Sequence, residues 1–522
     1  MVPEAFDYPV GSIERIETHI SWVILTDEYA YKIKKPLELD FLNFGDLERR
    51  KFYCDEEIRL NRPWAPHIYL GVVAITETDG RISMEGDGTP IEYAVKMRRF
   101  DQDLRLDRQL LLGKLTVADM RDLAQAVAAR HAAAAVIESG LRERVLSMTV
   151  SQMRDNFAAL KGHLDEDMLA SLEHWTESHL DLFNDLLARR FDEGFVRDCH
   201  GDLHLANLVH LPDGIKTFDC IEFNEDLRRI DTICDIAFLA MDLVAKGRRE
   251  LAAHFLNRYL ECCGDYDGVA LLDLYFVYRC LVRAKVAVIG SRESSLENDR
   301  LRNIADADRY CRIALRQTRK ADPLLVIMSG MSGSGKTWVS GQLMATLPAV
   351  RIRSDIERKR MCGLNETADS ESGIAGGMYT SETSQHVYQQ LRARALPLLQ
   401  ARHNVIIDAA FLDAKERGKA LQMARGCGFH AVIVQVNAPQ ALMRSRIIGR
   451  EEKASDASEA GLAVLDHQLS TTRPFTAQEL SQTIVFDNVD GSDLVTLTEK
   501  IRNQSRLPTP GLLPGSAEQE TA

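Results

Sequence analysis

A chain of 522 residues is too long for a single hydrophobic core, so we expect several domains. Its formal net charge of −13 argues against long nucleic acids as partners, because phosphate backbones are bound by basic surfaces. With scattered cysteines, no secretory signal and no apolar run near the roughly 20 residues of a membrane helix, the sequence predicts a cytoplasmic protein without a membrane partner.

The first 100 residues predict a strand-rich lobe. The stretch "THISWVILTDEYAYKIKK" (18–35) is rich in β-branched and aromatic residues, which favour two strands. The charged stretch "DLERRKFYCDEEIRLNR" (46–62) predicts a helix. Short strands follow over 68–100, interrupted by the turn signals "TDG" and "GDG".

Helical periodicity dominates the next part of the chain. It covers about 103–195, where Thr116 stands at a predicted N-cap, and it resumes over about 231–320. We therefore expect one domain over 1–320, with a first lobe of about 1–100 and a helical second lobe of about 101–320.

A polar stretch interrupts these helices. In "HGDLHLAN", His200, Asp202 and Asn207 match the H-x-D-x-x-x-x-N spacing of a kinase catalytic loop. A hairpin with the turn "PDG" follows, and Asp219 stands at the end of its second strand. Kinase-type transfer needs one carboxylate for the acceptor's proton and Asn and Asp ligands for Mg²⁺. The competing interpretation is a hydrogen-bonded polar loop without chemistry.

"HGDLHLAN" followed by "TFDCIEF" is similar to the signature of the aminoglycoside phosphotransferase family, whose fold resembles eukaryotic protein kinases. The resemblance implies Asp202 as the catalytic base and Asn207 and Asp219 as metal ligands. It also implies a lysine in the first lobe that contacts the ATP phosphates and pairs with a helix glutamate. The candidates are Lys32, with Lys34 as the alternative, and Glu57, with Glu56 as the alternative. Asp219 is followed by Cys-Ile rather than Phe-Gly, and no G-x-G-x-x-G loop is found near residue 20, which argues against protein substrates.

A second, α/β domain is predicted to begin at "ADPLLVIMSGMSGSGKT", where an apolar strand leads into a glycine-rich turn. "GMSGSGKT" matches the P-loop pattern, in which backbone N–H groups surround phosphate oxygens. The predicted nucleotide-binding residues are Gly330, Met331, Ser332, Gly333, Ser334, Gly335, Lys336 and Thr337. Lys336 would reach the outer phosphates and also count as catalytic, and the Thr337 hydroxyl would hold Mg²⁺.

Three further features of this domain suit phosphoryl transfer. The buried strand "HNVIID" ends in Asp408, a position suited to an acid that acts on the metal. In "RIRSDIERKRM", Asp355 and Arg358 share one helix face, as an acceptor base and a clamp would, although Asp355 could instead be a helix N-cap. Arg446 and Arg450 in "SRIIGR" suit a lid helix over phosphates, with a solvated helix face as the alternative.

Residues 323 to about 490 resemble small P-loop kinases of the polynucleotide kinase, gluconate kinase and zeta-toxin group. The resemblance rests on "GMSGSGKT", "SDIERKRM", "VIIDAAF" and the "SRIIGR…SDAS" pattern. It implies that Asp355 activates the acceptor hydroxyl, that Arg358 holds the substrate and that Arg446 and Arg450 contact nucleotide phosphates.

Together the patterns predict an α+β protein-kinase-like bilobal domain over 1–320, an α/β P-loop domain with a parallel sheet over 321–505 and a disordered tail over 506–522. This order resembles bacterial proteins described as bifunctional phosphotransferase/ATP-binding proteins. We expect a tandem kinase that uses ATP and Mg²⁺ to phosphorylate hydroxyl groups of a small molecule such as a sugar, an aminocyclitol or a nucleoside-like compound. Two alternatives stay open: one active domain regulated by a nucleotide- or metabolite-binding partner domain, or an ATP-driven switch that acts on proteins.

Overall fold

The computed structural model describes residues 2–39, 42–319, 321–364, 381–451, 461–472 and 474–505. Backbone contacts divide the chain into two compact units: Met1–Arg248 with Leu271–Thr318, and Arg249–Ala270 with Arg319–Ala522. The predicted disordered tail, 506–522, lies outside the described residues, and the predicted boundary near residue 320 stays a prediction. None of the described helices combines the length and apolar character needed to cross a lipid bilayer.

The first unit begins with an antiparallel sheet and one helix, as the strand-rich pattern predicts. The helix starts after Asp46, whose side chain accepts a hydrogen bond from the Arg49 N–H and so caps it. The elements are β1 (Glu14–Glu17), β2 (Ser21–Leu25), β3 (Tyr29–Lys34), β4 (Glu38–Leu39), β5 (Leu42–Asn43), α1 (Leu47–Asn61), β6 (Tyr69–Thr78), β7 (Arg81–Met84) and β8 (Thr89–Arg98). In the described residues the main sheet has the order β1-β2-β3-β8-β6-β7, which makes β3 an inner strand.

The second lobe of this unit is mainly helical. Thr116 and Asp119 form the capping box of a long helix, which confirms Thr116 as an N-cap. A core around Phe157, Phe238 and Phe276 holds the helices together. The elements are α2 (Leu106–Leu111), α3 (Val117–Ala133), α4 (Arg142–Leu160), α5 (Glu166–Asp192), β9 (Val196–Asp198), β10 (Leu208–Leu211), β11 (Gly214–Thr217), β12 (Arg229–Asp231), α6 (Thr232–Ala245), α7 (Arg249–Cys263, grouped with the second unit), α8 (Leu272–Glu293) and α9 (Glu297–Thr318).

The second unit is an α/β domain with a parallel sheet. Its elements after α7 are β13 (Leu324–Ser329), α10 (Lys336–Thr346), β14 (Ala349–Arg353), α11 (Ser354–Met361), α12 (Ser381–Gln400), β15 (Asn404–Asp408), α13 (Ala414–Gly426), β16 (His430–Asn437), α14 (Gln440–Glu451), α15 (Leu462–Thr471), α16 (Ala477–Leu480), β17 (Thr483–Asp487) and α17 (Leu494–Ser505). Five strands of the described chain pair in the order β14-β15-β13-β16-β17, all parallel. The carboxyl ends of β13, β14 and β15 therefore meet at one edge of the sheet, where open α/β sheets bind ligands.

Helix α7 packs along β14, the edge strand of this sheet. The Asn257 side-chain amide donates to the Ala349 carbonyl at 3.0 Å, and its oxygen accepts from the Arg351 N–H at 2.6 Å. Asn257 thus satisfies backbone groups that the edge strand β14 would otherwise leave unpaired. Arg351 also donates to a Glu261 carboxylate oxygen at 2.6 Å, and both side chains are almost fully buried.

We expect Glu261→Ala to lower the free energy of unfolding of the second unit by about 3–5 kcal/mol, because removal of one member of a buried ion pair leaves an uncompensated charge. Native-state hydrogen exchange of the full chain, followed on peptides from β13 and β14, measures this change. The matched control is Asp466→Ala, which removes an exposed ion pair with Arg444 and should cost less than about 1 kcal/mol. Equal losses in the two variants would contradict a structural role for the buried pair.

Candidate functional site

Two lysines of strand β3 in the first unit contact the same carboxylate, that of Glu57. Lys32 and Lys34 are two residues apart, so their side chains lie on the same face of the sheet. The ammonium group of Lys32 lies 2.9 Å from one oxygen of Glu57, and that of Lys34 lies 2.8 Å from the other. Burial opposes the charge of Glu57, but the two lysines outweigh it and hold the pKa of its carboxyl at about 2. Glu56 instead pairs with Arg59 at 2.7 Å, so Glu57 is the glutamate that the lysines contact.

The second partners of the two lysines differ. Lys32 donates to Asp219 at 2.5 Å, whereas the fully buried Lys34 pairs with Glu222. Burial disfavours the charge of Lys32, but Asp219 and Glu57 outweigh it and raise its pKa well above the usual value. Lys32 is therefore the lysine that contacts the predicted metal-binding aspartate. Lys34 lies deeper in the protein and contacts Glu57 and Glu222 instead. Glu222 was not predicted; the available signal was an acid three residues after Asp219 in "TFDCIEF".

The polar stretch forms a loop around Asp202. The Asn207 amide donates to an Asp202 carboxylate oxygen at 2.9 Å, and the His204 Nε2 atom lies 3.3 Å from the same oxygen. Burial opposes the charge of Asp202, but His204 and His200 outweigh it and hold the pKa of its carboxyl below the usual range. The side chain nevertheless keeps 35% of its surface exposed, so an acceptor can reach it.

Buried acids on helix α6 fix the backbone of this loop. Asp235 accepts hydrogen bonds from the N–H groups of His200 at 3.1 Å and Gly201 at 2.9 Å, and Asp242 accepts from that of Leu205 at 3.1 Å. Gly201 has a φ of +83°, and a β-carbon there would lie 2.9 Å from the Leu227 carbonyl oxygen. The loop conformation thus depends on glycine at this position.

The hairpin β10–β11 connects Asn207 to Asp219. The Phe218 N–H donates to the Asn207 carbonyl at 3.0 Å, and the Asp219 N–H donates to the Tyr69 hydroxyl at 2.9 Å. Asp219 itself has a positive φ of 63°, a backbone conformation that is uncommon for non-glycine residues. The hairpin therefore holds the residue before Asp219 against Asn207, while Asn207 binds Asp202 and Asp219 binds Lys32.

The donor atoms suit a Mg²⁺ ion. Among the described residues, the amide oxygen of Asn207 and the second carboxylate oxygen of Asp219 accept no hydrogen bond. Oxygen donors of this kind are the ligands that Mg²⁺ prefers. A buried group of His131, Cys199 and Asp235 also has ligand atoms close together. Asp235 there already accepts hydrogen bonds from backbone N–H groups, which suits a structural role better.

In the second unit, the loop after β13 has the backbone form of a P-loop. Gly330, Gly333 and Gly335 have positive φ values of 154°, 77° and 89°. A β-carbon at these positions would collide with the Val436 carbonyl, the Met443 carbonyl and the Asn488 side chain, respectively. Only glycine fits these three positions without displacement of a neighbour, so the N–H groups of the loop can turn inward as phosphate binding requires.

Lys336 follows the last glycine of this loop. Its ammonium group donates to the Met331 carbonyl at 2.8 Å, across the loop. Burial lowers the pKa of Lys336, and the negative charges of Asp408 and Asp355 oppose this effect. Asp408 and Asp355 are therefore the two acids whose charges act on Lys336.

Asp408 and Thr337 offer oxygen atoms to a metal. One carboxylate oxygen of Asp408 accepts from the Ser340 hydroxyl at 2.9 Å. Among the described residues, its other oxygen and the Thr337 hydroxyl have no hydrogen-bond partner. These donors suit the Mg²⁺ ion that accompanies a P-loop nucleotide.

Asp355 and Arg358 lie on helix α11, as the spacing predicts. The N-cap position is occupied by Arg353, so Asp355 does not cap this helix. Arg358 is buried and approaches the Ser384 hydroxyl at 3.5 Å. Asp355 is half-buried in the first turn of the helix, directly after the carboxyl end of β14.

Helix α14 brings Arg446 to the P-loop. Its guanidinium donates to the Ser334 carbonyl at 3.2 Å and to the Asn488 carbonyl at 3.1 Å. Arg450 lies near enough for its charge to help lower the pKa of Lys336. The "SDAS" part of the predicted lid lies outside the described residues. Asn488, which donates to Ser334 at 2.8 Å, was not predicted from the sequence.

The fold and the two sites define a kinase-like phosphotransferase joined to a P-loop kinase domain. The family model of the Phosphotransferase enzyme family matches residues 106–272, and that of an AAA domain matches residues 325–475. An uncharacterized protein of Mycobacterium tuberculosis is 31% identical over 457 residues, which are 86% of this chain and 88% of the relative. The chain belongs to the same family as this mycobacterial protein, and it combines a phosphotransferase-family domain with a P-loop kinase domain. It is accordingly an ATP-dependent phosphotransferase.

Two solved structures resemble single parts of the chain. A choline kinase from Cryptosporidium parvum is 11% identical with a TM-score of 0.37, over 59% of this chain and 88% of that one. A gluconokinase from Sinorhizobium meliloti is 18% identical with a TM-score of 0.25, over 36% of this chain and 94% of that one. Because these scores are low, the family assignment rests on the sequence matches.

Proposed function

We propose that the chain is a tandem kinase with two ATP·Mg²⁺ sites, each of which transfers a phosphoryl group to a hydroxyl of a small molecule. A sugar, an aminocyclitol or a nucleoside-like compound fits this chemistry. The main support for the proposal is that the ammonium group of Lys32 contacts both Glu57 and Asp219. Kinases of this fold use such a lysine to hold phosphates beside the metal-binding aspartate.

In the first unit, Asp202 would take the proton of the acceptor hydroxyl as its oxygen attacks the terminal phosphorus of ATP. His204 and Asn207 orient the carboxylate for this step, because both contact the same oxygen. Lys32 would bind the phosphates. Asn207 and Asp219 would hold Mg²⁺, which neutralises negative charge on the phosphates when it is bound.

In the second unit, the backbone of the P-loop and Lys336 would surround the phosphates, and Thr337 and Asp408 would hold Mg²⁺. Asp355 would accept the acceptor's proton, and Arg358 would bind the acceptor. Arg446 and Arg450 would bind nucleotide phosphates. Asp355 and Arg358 both lie on α11. This pair favours kinase activity over a simple ATP-driven conformational switch, because a switch needs no acceptor base.

The test is a calorimetric titration of the full chain with a non-hydrolysable ATP analogue and Mg²⁺. We expect two sites in the wild type and one in each of Lys336→Ala and Lys32→Ala, because each variant removes a phosphate-binding cation from one unit only. The control Lys415→Ala, on the exposed start of α13, should keep both sites.

A wild type that binds only one nucleotide would contradict the tandem proposal and favour one active domain regulated by the other. The acceptor of the first unit is then identified in the full-length Lys336→Ala variant, in which the second unit should not bind nucleotide. The measurement is ADP release in the presence of each candidate acceptor. The panel contains sugars, nucleosides and aminoglycosides. Absence of turnover with every acceptor, despite bound nucleotide, would contradict small-molecule kinase activity in this unit.

A further inference from the structure

A row of buried polar side chains leads from helix α7 to the proposed metal site of the second unit. Glu261 of α7 accepts a hydrogen bond from Arg351 of β14 at 2.6 Å. The other terminal nitrogen of Arg351, Nη1, donates to the Thr337 carbonyl of α10 at 3.2 Å and lies 3.4 Å from the Ser340 hydroxyl. That hydroxyl in turn donates to Asp408 at 2.9 Å. The side chains of Arg351 and Ser340 thus connect Glu261 to Asp408.

These contacts are shielded from water. Glu261, Arg351 and Ser340 are 2%, 3% and 0% exposed. Hydrogen bonds are electrostatically stronger in such surroundings, and neighbouring bonds polarise one another. Burial opposes the charge of Glu261, but Arg351 and Arg353 outweigh it and lower the pKa of its carboxyl. Glu261 is therefore ionised at neutral pH and fixes the orientation of the Arg351 guanidinium.

Helix α10 has a glycine where this guanidinium approaches it. A β-carbon at Gly341 would lie 3.3 Å from the Nη1 atom of Arg351, closer than ordinary van der Waals contact. Glycine in a helix interior costs about 1 kcal/mol relative to alanine. The helix therefore has a destabilising residue at the point where Arg351 comes within hydrogen-bond distance of Thr337 and Ser340.

Arg351 favours one of two possible acceptors for the Ser340 proton. A serine hydroxyl has one proton. The Thr337 carbonyl at 3.0 Å and the Asp408 carboxylate at 2.9 Å both lie within its reach. Because Arg351 donates to the Thr337 carbonyl and faces the lone pairs of Ser340, the proton is directed to Asp408. One carboxylate oxygen of Asp408 is then held, and the other stays available to the Mg²⁺ of the proposed function.

Glu261 belongs to a part of the chain that matches the phosphotransferase family. That match covers residues 106–272, which include all of α7. By its backbone contacts, however, the segment Arg249–Ala270 groups with the P-loop unit. A P-loop domain that began at the boundary predicted from the sequence would therefore lack Glu261, the acid that binds Arg351.

We infer that Glu261 and Arg351 are positioning residues for the proposed metal site of the second unit. They act on Asp408 through the hydroxyl of Ser340. The inference rests on the proposed function of this unit, which assigns Asp408 and Thr337 to Mg²⁺. Glu261 keeps the guanidinium of Arg351 in place, and the guanidinium orients the Ser340 hydroxyl. The competing interpretation is a buried ion pair that only stabilises the fold.

The test measures how strongly Mg²⁺ promotes nucleotide binding at the second unit. The full-length Lys32→Ala variant is titrated with the non-hydrolysable ATP analogue in excess Mg²⁺ and in EDTA, and the ratio of the two affinities is taken. Arg351→Lys keeps a cation beside Glu261 but has no second donor group to reach α10. We expect Arg351→Lys and Ser340→Ala each to lower the ratio by about 10- to 100-fold, as loss of a partner behind a metal ligand does. Affinity in EDTA should stay nearly unchanged.

A double-mutant cycle separates positioning from stability. If Arg351 acts through Ser340, Arg351→Lys should have little further effect on the ratio in the Ser340→Ala protein, because both changes remove the same support of Asp408. Glu261→Gln should lower the ratio less than Arg351→Lys, because its amide oxygen still accepts from the guanidinium. If Arg351→Lys does not fold, as judged by hydrogen exchange of β13 and β14, the cycle is made with Glu261→Gln.

The control is Arg417→Lys, at a buried arginine of α13 in the same unit. Arg417 donates to Glu479 at 2.6 Å and to the Phe411 carbonyl at 2.8 Å, so its replacement should lower stability without a change in the ratio. An unchanged ratio in Arg351→Lys or in Ser340→Ala, additive effects in the double variant, or an equal fall in Arg417→Lys would overturn the inference alone. A parent protein that binds no analogue, or binds it equally well with and without Mg²⁺, would overturn both the inference and the proposed metal site.

Discussion

Asp202→Asn should lower acceptor-dependent turnover at the first unit by about 10²- to 10⁴-fold, the usual contribution of a positioned base. An amide cannot take the proton of the acceptor hydroxyl. ATP affinity should change little, because Lys32, Asn207 and Asp219 are retained and supply the phosphate and metal contacts of the proposal. The measurement is ADP release and calorimetric nucleotide binding on the same sample, in the full-length Lys336→Ala chain.

The substitution is mild for the fold. The Asn207 amide donates to the Asp202 carboxylate at 2.9 Å, and the side-chain oxygen of an asparagine can accept the same bond. Melting temperature should therefore stay close to that of the parent. Asp213→Asn, in the exposed turn of the β10–β11 hairpin, is the control and should leave turnover intact. Full turnover in the Asp202→Asn protein would show that another group accepts the proton.

Features of this protein that depend on local sequence could be predicted. The strands β2 and β3 follow from β-branched and aromatic residues, and the capping box of α3 follows from Thr116. The P-loop follows from its glycine spacing, because its three positive φ values require glycine where the sequence has it. Each of these signals lies within a few residues of the structure that it specifies.

The choice between Lys32 and Lys34 could not be made from the sequence. The two residues lie on the same face of β3, so alternation along the strand cannot separate them. They differ in partners that lie far along the chain: Lys32 contacts Asp219, and Lys34 contacts Glu222. Only the tertiary fold brings the hairpin end against β3.

Contacts between distant segments were missed for the same reason. Asn488 supports the P-loop through the Ser334 carbonyl, although 154 residues separate them. Asn257 binds the edge strand β14 from a helix that the sequence pattern places in the preceding domain. Neither asparagine stands in a recognisable motif, and a single polar residue in a helical pattern does not indicate what it contacts.

The two proposed bases have different cationic or potentially cationic neighbours. Asp202 lies beside two imidazoles that favour its ionised form and keeps an exposed surface. Asp355 instead acts by its charge on Lys336, whose own pKa is lowered by burial of its ammonium group. The two proposed bases thus differ in their neighbours, although the same loss of turnover is expected when either acid is changed to an amide.

Asp355→Asn should keep nucleotide affinity at the second unit nearly unchanged, because the P-loop backbone and Lys336 supply that binding. Transfer to an acceptor should fall by about 10²- to 10⁴-fold, since the amide cannot take the hydroxyl proton. Arg358→Ala should mainly raise the KM of the acceptor, if its contact is equally strong in the ground and transition states.

The experiment uses the full-length Lys32→Ala variant, in which the first unit should not bind nucleotide. Acceptor-dependent ADP release, nucleotide binding and melting temperature are measured on one Asp355→Asn sample. Asp413→Asn, at the exposed start of α13, is the control and should not alter turnover. Arg353 occupies the N-cap of α11, so a change in melting temperature is not expected from the loss of a cap at Asp355. Unchanged turnover with a genuine acceptor would remove Asp355 as the base and return the second unit to the role of an ATP-driven switch.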